Sequence, residues 1–340
     1  GRSGTGKTQF TKSLITQLVQ QSKNNIDGKQ IDILIFDYKK DYIKEDFVKA
    51  TNATVYDLEK WPVNPLELFG DTPKLPTHTG RTLTTTLSKA FNLGNVQRNT
   101  LKNIIQEAYK QKGIDSSDKN TWTIPAPTLY NIWDIYCESE DIKQDSLYAA
   151  LDDLIDFEIF ESDISKTKSL YDMINGVTVI NLSGYDSNIQ DLVVAILLDL
   201  FYVQMHKNGS SKVDGNTVQI TKMILVDEAD NFMSKDFDNL KKILKEGREF
   251  GVGTILSTQE LTHFRTSEDD YASYIFTWIV HKVANLRIQD IQSIFNINNK
   301  TEAENLMSQI RELQKHYSFY VDGNKNIKKM RDLAFWELLR

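Results

Sequence analysis

The sequence predicts an α/β fold, with a mostly parallel central sheet built around a phosphate-binding loop and interrupted by a helical insertion. Three observations lead there. The opening residues Gly1-Arg2-Ser3-Gly4-Thr5-Gly6-Lys7-Thr8 fit the pattern G-x-x-x-x-G-K-[ST] at every fixed position. Short apolar runs end on carboxylates at residues 31–37 and 223–228. Between them, residues 79–170 carry helical periodicity and few strand signals. The expected division is a core of residues 1–78 and 171–340, with the insertion at 79–170.

Composition bounds the possibilities. A chain of 340 residues can bury a large core, and 40% hydrophobic with 26% charged content is ordinary for a globular protein. No apolar run approaches the roughly 20 residues needed to cross a bilayer. The one cysteine, Cys137, excludes an internal disulfide framework, suits a reducing cytoplasm, and is expected to pack within a helix. A net charge of −7 argues against a uniformly basic nucleic-acid coat. It leaves a locally basic lining open, because net charge ignores distribution. The five histidines are scattered, which gives a catalytic His triad no support; His281, inside an apolar run, reads as a core residue.

The glycine-rich loop has a physical logic. Gly1, Gly4 and Gly6 lack a Cβ and permit positive φ and close approach. Successive N–H groups can then cradle an anion above a helix N-terminus. Arg2, Ser3, Thr5 and Gln9 complete the expected nucleotide-contacting stretch. Lys7 would reach the β- and γ-phosphates, and the Thr8 hydroxyl would ligate Mg²⁺. Residues 9–24 read as the helix behind the loop, with Phe10, Leu14, Ile15, Leu18 and Val19 on one face. The strand that should precede the loop is expected upstream of residue 1, or is missing through removal or replacement.

The remaining elements follow in order. Residues 31–37 read as a buried parallel strand. Asp37 at its end has two open readings, a ligand-facing carboxylate or a turn cap. Tyr38-Lys39-Lys40-Asp41 reads as an exposed charged loop. Prolines 62 and 65 forbid a regular helix around residues 61–66. Residues 177–182 make a strand, and residues 189–205, apolar almost all round, make a helix buried between layers. Residues 207–217 read as a polar loop and the stretch most expected to be disordered. Residues 274–283 read as a strand covered on both faces, residues 287–296 and 301–314 as helices, and residues 317–321 as a strand at the sheet edge. The tail 331–340 reads as a helix.

Met223-Ile224-Leu225-Val226-Asp227-Glu228 is the second decisive element. Four apolar residues running into adjacent carboxylates describe a buried strand ending at a metal site. Asp227 would hold Mg²⁺, largely through water. Glu228 would polarise an attacking water, the task that phosphoanhydride hydrolysis leaves to the protein. The strand at 253–259 ends on Ser257-Thr258-Gln259. There the Gln259 amide could sense the γ-phosphate without competing for metal, whereas Ser257 and Thr258 have a capping role open to them.

Taken in sequence, the phosphate loop, Asp37, the helical insertion, Asp227-Glu228, Glu246-Gly247-Arg248-Glu249-Phe250-Gly251 and Thr258-Gln259 resemble the HerA/FtsK superfamily of RecA-like P-loop ATPases. The resemblance covers nearly the whole chain. Within that superfamily the order is similar to the ATPase part of DptH-type proteins of phosphorothioation-dependent DNA restriction. The resemblance implies ATP and Mg²⁺ as cofactors, a hexameric ring with nucleotide between neighbours, and duplex DNA in the pore. It implies Lys7, Glu228, Gln259 and Arg248 as catalytic residues, with Arg248 presented to the next subunit's γ-phosphate. The local alternative for Arg248 is an ion pair with Glu246 or Glu249. Glu249 stands where relatives commonly carry a basic residue.

The resulting expectation is an ATP-hydrolysing DNA translocase of a DNA-processing or antiphage restriction system, alongside a nuclease or other defence subunits. Its candidate DNA-contacting segments are residues 38–44 and His263-Phe264-Arg265. An ATPase driving polypeptide secretion or complex assembly is the alternative, since these motifs serve the nucleotide and not the cargo. A nucleotide switch without turnover is a third reading, opposed by the intact Lys7, Asp227 and Glu228 set.

Overall fold

A computed structural model describes residues 4–139, 144–266 and 270–340. Helix α1 (Lys7–Gln20) follows the glycine-rich loop and leads to β1 (Asp32–Asp37), α2 (Glu45–Thr51) and β2 (Thr54–Asp57). The chain is then helical through α3 (Leu75–Phe91), α4 (Asn95–Gln111), α5 (Leu129–Cys137), α6 (Ser146–Asp156) and α7 (Leu170–Met173). It returns to β3 (Val177–Asn181), α8 (Ser187–Asn208), a short hairpin of β4 (Val213–Asp214) and β5 (Thr217–Val218), and β6 (Lys222–Val226). Next come α9 (Ala229–Met233), α10 (Asp238–Glu246) and β7 (Val252–Leu256). The last part holds β8 (Trp278–Val280), α11 (Ile288–Phe295), α12 (Lys300–Arg311), β9 (Tyr317–Val321), β10 (Ile327–Arg331) and α13 (Phe335–Leu338).

The central sheet has the order β2-β3-β1-β6-β7, and every pair in it is parallel. Its β-branched runs suit a sheet covered on both faces. Ile33, Leu34, Ile35 and Phe36 of β1 are all fully buried. The even faces pack on one large cluster with Phe36, Ile224 and Val226. The odd faces, with Ile33, Ile35 and Leu225, pack on a smaller one with Ile15, Phe47 and Phe335. The large cluster runs without a break into Leu83, Leu101 and Ile132 of the helical stretch, so sheet and helices share one core.

Helix α8 sits at the centre of that core and packs against α3, α7 and α10. Contrary to the expectation that no run approaches membrane-spanning length, it is by length and composition apolar enough to span a bilayer, but 72% of its most apolar stretch is buried inside the protein. This agrees with a helix lying between layers.

Several expectations need correction. Residues 274–283 yield only the three-residue β8, which joins an antiparallel sheet β10-β9-β8 separate from the central one. Residues 317–321 are the middle strand of that small sheet, not an edge of the large one. The reason is local: the Asp322 carboxylate accepts from the N–H groups of Asn324 and Asn326 and closes a tight β9–β10 turn. A hairpin closed over a few residues needs no crossover, as joining a parallel sheet would. β10 also claims Arg331, leaving only Phe335–Leu338 of the tail helical. The polar stretch 207–217 contains the β4 strand and begins β5. Cys137 is exposed at the end of α5, not packed.

Among the described residues β7 pairs only with β6, and β8 only with β9. Their free edges face an apolar groove of about 390 Å³ walled by Leu14, Leu18, Ile255, Phe264, Trp278 and Val280. It lies beside α1.

One half-buried carboxylate ties three helices together. Asp199 of α8 accepts from Thr86 Oγ1 of α3 at 2.6 Å and from Asn239 Nδ2 of α10 at 2.5 Å. Burial pushes its carboxyl up to about 7, against the smaller opposing effect of those hydrogen bonds. Between about pH 4 and 7 the folded chain therefore holds a proton that the unfolded chain has released, and stability falls as pH rises. Asp199→Asn retains an acceptor for Asn239 and donates to the Thr86 hydroxyl. Thermal melts from pH 4 to 8 should show a higher midpoint than wild type at pH 8 and a weaker decline across the window. An equal loss of midpoint at both ends would show that the carboxylate itself is needed.

Candidate functional site

The phosphate loop adopts the backbone its glycines permit. Gly4 and Gly6 have φ of 80° and 103°, in the region side chains disfavour. At Gly6 a Cβ would lie 2.8 Å from His316 Nδ1, so a side chain there would also collide with β9's approach. The contact has a purpose: the His316 N–H donates to the Thr5 carbonyl at 3.1 Å, and the His316 carbonyl accepts from Asp332 N–H at 2.8 Å. The C-terminal segment thus braces the loop from outside. Phe10 N–H donates to the Gly6 carbonyl at 2.8 Å, which starts α1 directly beneath the loop. Lys7 and Thr8 open that helix. The Gln9 side chain accepts from Trp336 N–H at 3.4 Å and so faces α13. Gly1, Arg2 and Ser3 lie outside the described residues.

The parallel register places three strand ends at one rim. Phe36 aligns with Val226, and Val226 with Leu256, so Asp37, Asp227 and Ser257 are the next residues of three neighbouring strands. The rim faces the loop, as ligand sites in open α/β sheets do. Asp227 and Glu228 are 2% and 7% exposed. Glu228 has φ 50° and ψ 42°, a left-handed turn at the start of α9. Such a conformation costs roughly 1–3 kcal/mol for a residue with a side chain and recurs at functional sites.

Glu228 is the hub. Lys7 Nζ stands 3.5 Å from its Oε1, and Gln259 Nε2 donates to its Oε2 at 2.9 Å. Burial raises its carboxyl, but hydrogen bonds from Lys39 and Gln259 and the charge of Lys7 outweigh that and hold it below the usual glutamate range. Asp227 goes the other way: burial raises it, opposed by the Lys7 charge. Lys7, Asp227, Glu228 and Gln259 are therefore brought together as expected. Thr258 binds Asp230 at 3.2 Å and His263 at 2.7 Å, a structural role. His281 faces the Asp332 carboxylate at 3.0 Å in the core, in keeping with the core reading.

The sequence did not point to Lys39. Its ammonium lies 2.8 Å from Glu228 Oε1, closer than that of Lys7. The pairing becomes visible only once β1 and β6 are known to be neighbours. Asp37 proves to be the turn cap: it accepts from the N–H groups of Lys39 and Asp41 at 3.1 Å and of Tyr42 at 2.8 Å. That cap aims Lys39 at the rim. The loop is exposed at Lys39 and Lys40, as expected, and is anchored by the buried Tyr38 and Tyr42. The segment His263-Phe264-Arg265 is also engaged internally, with Phe264 buried against Trp278 and Arg265 near Asp270 and Asp290.

Arg248 is not part of this cluster. It lies in the turn Gly247–Phe250 before β7, at the opposite end of that strand from Gln259. The strand alone separates them by about 13 Å at its rise per residue. The expected local ion pairs are absent among the described residues. Glu246 binds Tyr202 and His206, and Glu249 accepts from Ser210, which leaves Arg248 exposed.

The site fits a magnesium nucleotide. Lys7 Nζ and Asp227 Oδ1 are buried atoms that make no hydrogen bond among the described residues. A buried cation and a buried carboxylate oxygen left so are costly unless a ligand completes them. Lys7 would take phosphate oxygen, and Asp227 with Thr8 would hold the cation.

Comparison with known proteins agrees with this geometry. Residues 1–201 match the family described as "Helicase HerA, central domain". A DNA double-strand break repair helicase HerA of Sulfurisphaera tokodaii is 26% identical over 252 residues, covering 67% of this chain and 45% of the relative. One from Sulfolobus acidocaldarius is 35% identical over 88 residues, or 24% of this chain and 17% of the relative. The chain thus spans less than half the length of these relatives. Among solved structures, VirB4 of Thermoanaerobacter pseudethanolicus superposes with a TM-score of 0.73 at 12% identity, over 100% of this chain and 90% of that one. The plasmid coupling protein TrwB, in complex with ADP and Mg²⁺, gives 0.59 at 12% identity, over 98% and 84%. At such identities the superpositions speak for the P-loop α/β fold. The family match covers more than half of the sequence, and the chain belongs to the HerA helicase central-domain family, within the HerA/FtsK-type P-loop ATPases.

Proposed function

We propose that this chain is the ATP-hydrolysing core of a DNA-translocating motor. The observation that carries the reading is the convergence of Lys7, Asp227, Glu228 and Gln259 on one sheet rim beneath the phosphate loop. Lys7 and the loop N–H groups bind the triphosphate. Asp227 and Thr8 would hold Mg²⁺, which when bound neutralises phosphate charge. Glu228 orients and deprotonates the attacking water, and its ionised state near neutral pH suits a base. Gln259, hydrogen-bonded to Glu228, senses the γ-phosphate and links its presence to the position of that carboxylate.

Arg248 acts on a neighbouring subunit's nucleotide in this reading, since its own site lies at the far end of β7. Such an arginine makes turnover depend on assembly of a ring. The cytoplasmic system served would be one of DNA processing or antiphage restriction, with a nuclease or other defence subunit as partner. The division into a core at 1–78 and 171–340 and an insertion at 79–170 remains part of the proposal.

The test is ATP hydrolysis with and without duplex DNA, beside Glu228→Gln. Stimulation by DNA is expected, together with a fall of about 10²–10⁴-fold in the variant. Turnover that needs Glu228 but ignores DNA would replace this reading with a polypeptide-cargo motor. Nucleotide binding without turnover would point to a switch.

The Lys39 contact generates a second expectation. An ammonium on Glu228 weakens it as a base, and a shift of the loop it belongs to would release it. Lys39→Met should raise DNA-independent hydrolysis several-fold and shrink the stimulation by DNA, whereas Lys39→Arg retains both. A loss as deep as that of Glu228→Gln would instead place Lys39 on the phosphates.

A further inference from the structure

A basic surface of this acidic chain lies outside both loops expected to carry one. From Lys74 to Lys112 the sequence has seven Lys and Arg residues against one carboxylate, Glu107, in a protein of net charge −7. This stretch is the α3–α4 helix pair. On α3, positions 78, 81, 82, 85 and 89 recur at helical spacing, and on α4 so do 95, 98, 99 and 102. The two faces converge on a groove lined by Arg81, Thr85, Asn95, Arg98, Asn99 and Lys102, without a carboxylate. Arg81 and Thr85 also border the adjoining cleft, which adds His78, Lys89 and Lys242. Along α3 this track runs about 16 Å.

Like charges gathered in one concavity repel one another, and proteins ordinarily offset them with carboxylates. This protein does so elsewhere: Lys44 pairs with Asp41, Lys60 with Glu158, and Lys212 with Asp27. No ion pair is described for Arg81, Arg98 or Lys102. Glu107 sits beside Lys110 at 3.6 Å, and Asp238 of the adjoining cleft beside Lys89 at 3.1 Å. Asp199, half-buried in that cleft, accepts hydrogen bonds from Thr86 and Asn239. What is left open is a row of cations interleaved with hydroxyl and amide groups. That chemistry suits phosphodiester oxygens, which take both charge and neutral donors without reference to base sequence.

We infer that the α3–α4 groove is a nucleic-acid backbone site, seating the phosphates of duplex DNA on Arg81, Arg98 and Lys102. The inference rests on the DNA-motor reading and deepens it, by placing a DNA contact on the helical stretch and outside the sheet rim.

The experiment compares the 340-residue chain with Arg81→Gln/Arg98→Gln/Lys102→Gln and with a control of equal charge change on the same helical stretch, Lys110→Gln/Lys112→Gln/Lys119→Gln. Fluorescence anisotropy with a labelled DNA duplex is read from 50 to 200 mM salt, and DNA-independent ATP hydrolysis is measured for all three. The groove variant should bind at least tenfold more weakly at 100 mM, with a log–log salt slope shallower by about three. The control should keep the wild-type slope to within about one, and basal hydrolysis should be unchanged in both. Equal affinity and slope in the groove variant and wild type would overturn the site while leaving the DNA motor standing. No duplex binding by wild type at 50 mM would remove both. Equal weakening in the control would reduce the effect to net charge and overturn the site. Groove-dependent binding of labelled polyglutamate in place of DNA would replace the inference with an acidic polypeptide.

Discussion

Everything at the site depends on the parallel register of β1, β6 and β7. Residues 37, 227 and 257 are far apart in sequence, and only the pairing of Phe36 with Val226 and Val226 with Leu256 levels them. Side chains alternate along a strand, so a slip of one residue would turn every core face outward. The run Ile33–Asp37 of β1, buried throughout, makes such a slip prohibitive. Alternation would also send Asp227 and Glu228 to opposite sides. The left-handed turn at Glu228 breaks it and lets both carboxylates serve one rim. The local strain is thus maintained by the packing of the whole sheet.

Glu228 shows how charge is distributed once the rim exists. Two ammonium groups and one amide converge on its carboxylate, while Asp227 next to it keeps a buried oxygen free. Lys7 cannot satisfy Glu228 and a phosphate equally well. On the proposed function, an arriving phosphate would draw Lys7 away and leave Glu228, the proposed base, to Lys39 and Gln259. Occupancy of the loop would then change the charge around that carboxylate through Coulomb interactions over a few ångströms.

The sequence was legible where its signals are short-range. The phosphate loop, the apolar runs ending in Asp37 and Asp227-Glu228, and the helical stretch before β3 all follow from spacing within a few turns or strands. The contacts of Lys39 were not legible, because nothing in the sequence says that β1 lies beside β6. For the same reason residues 274–283 read as a core strand: apolarity reports burial but not which sheet does the burying. The Asp322 turn, a local signal, decided that outcome. Positive residues in α3 and α4 were visible singly, but the concavity that gathers them depends on how the two helices cross.

The single apolar core gives the helical stretch a mechanical relation to the nucleotide site. Thr86, Asp199 and Asn239 join α3, α8 and α10 through one half-buried carboxylate. Such a hydrogen-bonded junction resists shear, because separating its members leaves polar groups unpaired. Helix α10 then runs directly into the turn that carries Arg248. Helix α8 also packs against α9, which begins at Glu228, so the junction that reaches the Arg248 turn has a second route to the sheet rim. On the proposed function, a load on the helical stretch would therefore bear on Arg248, proposed to face a neighbour, and on Glu228, the proposed base, together.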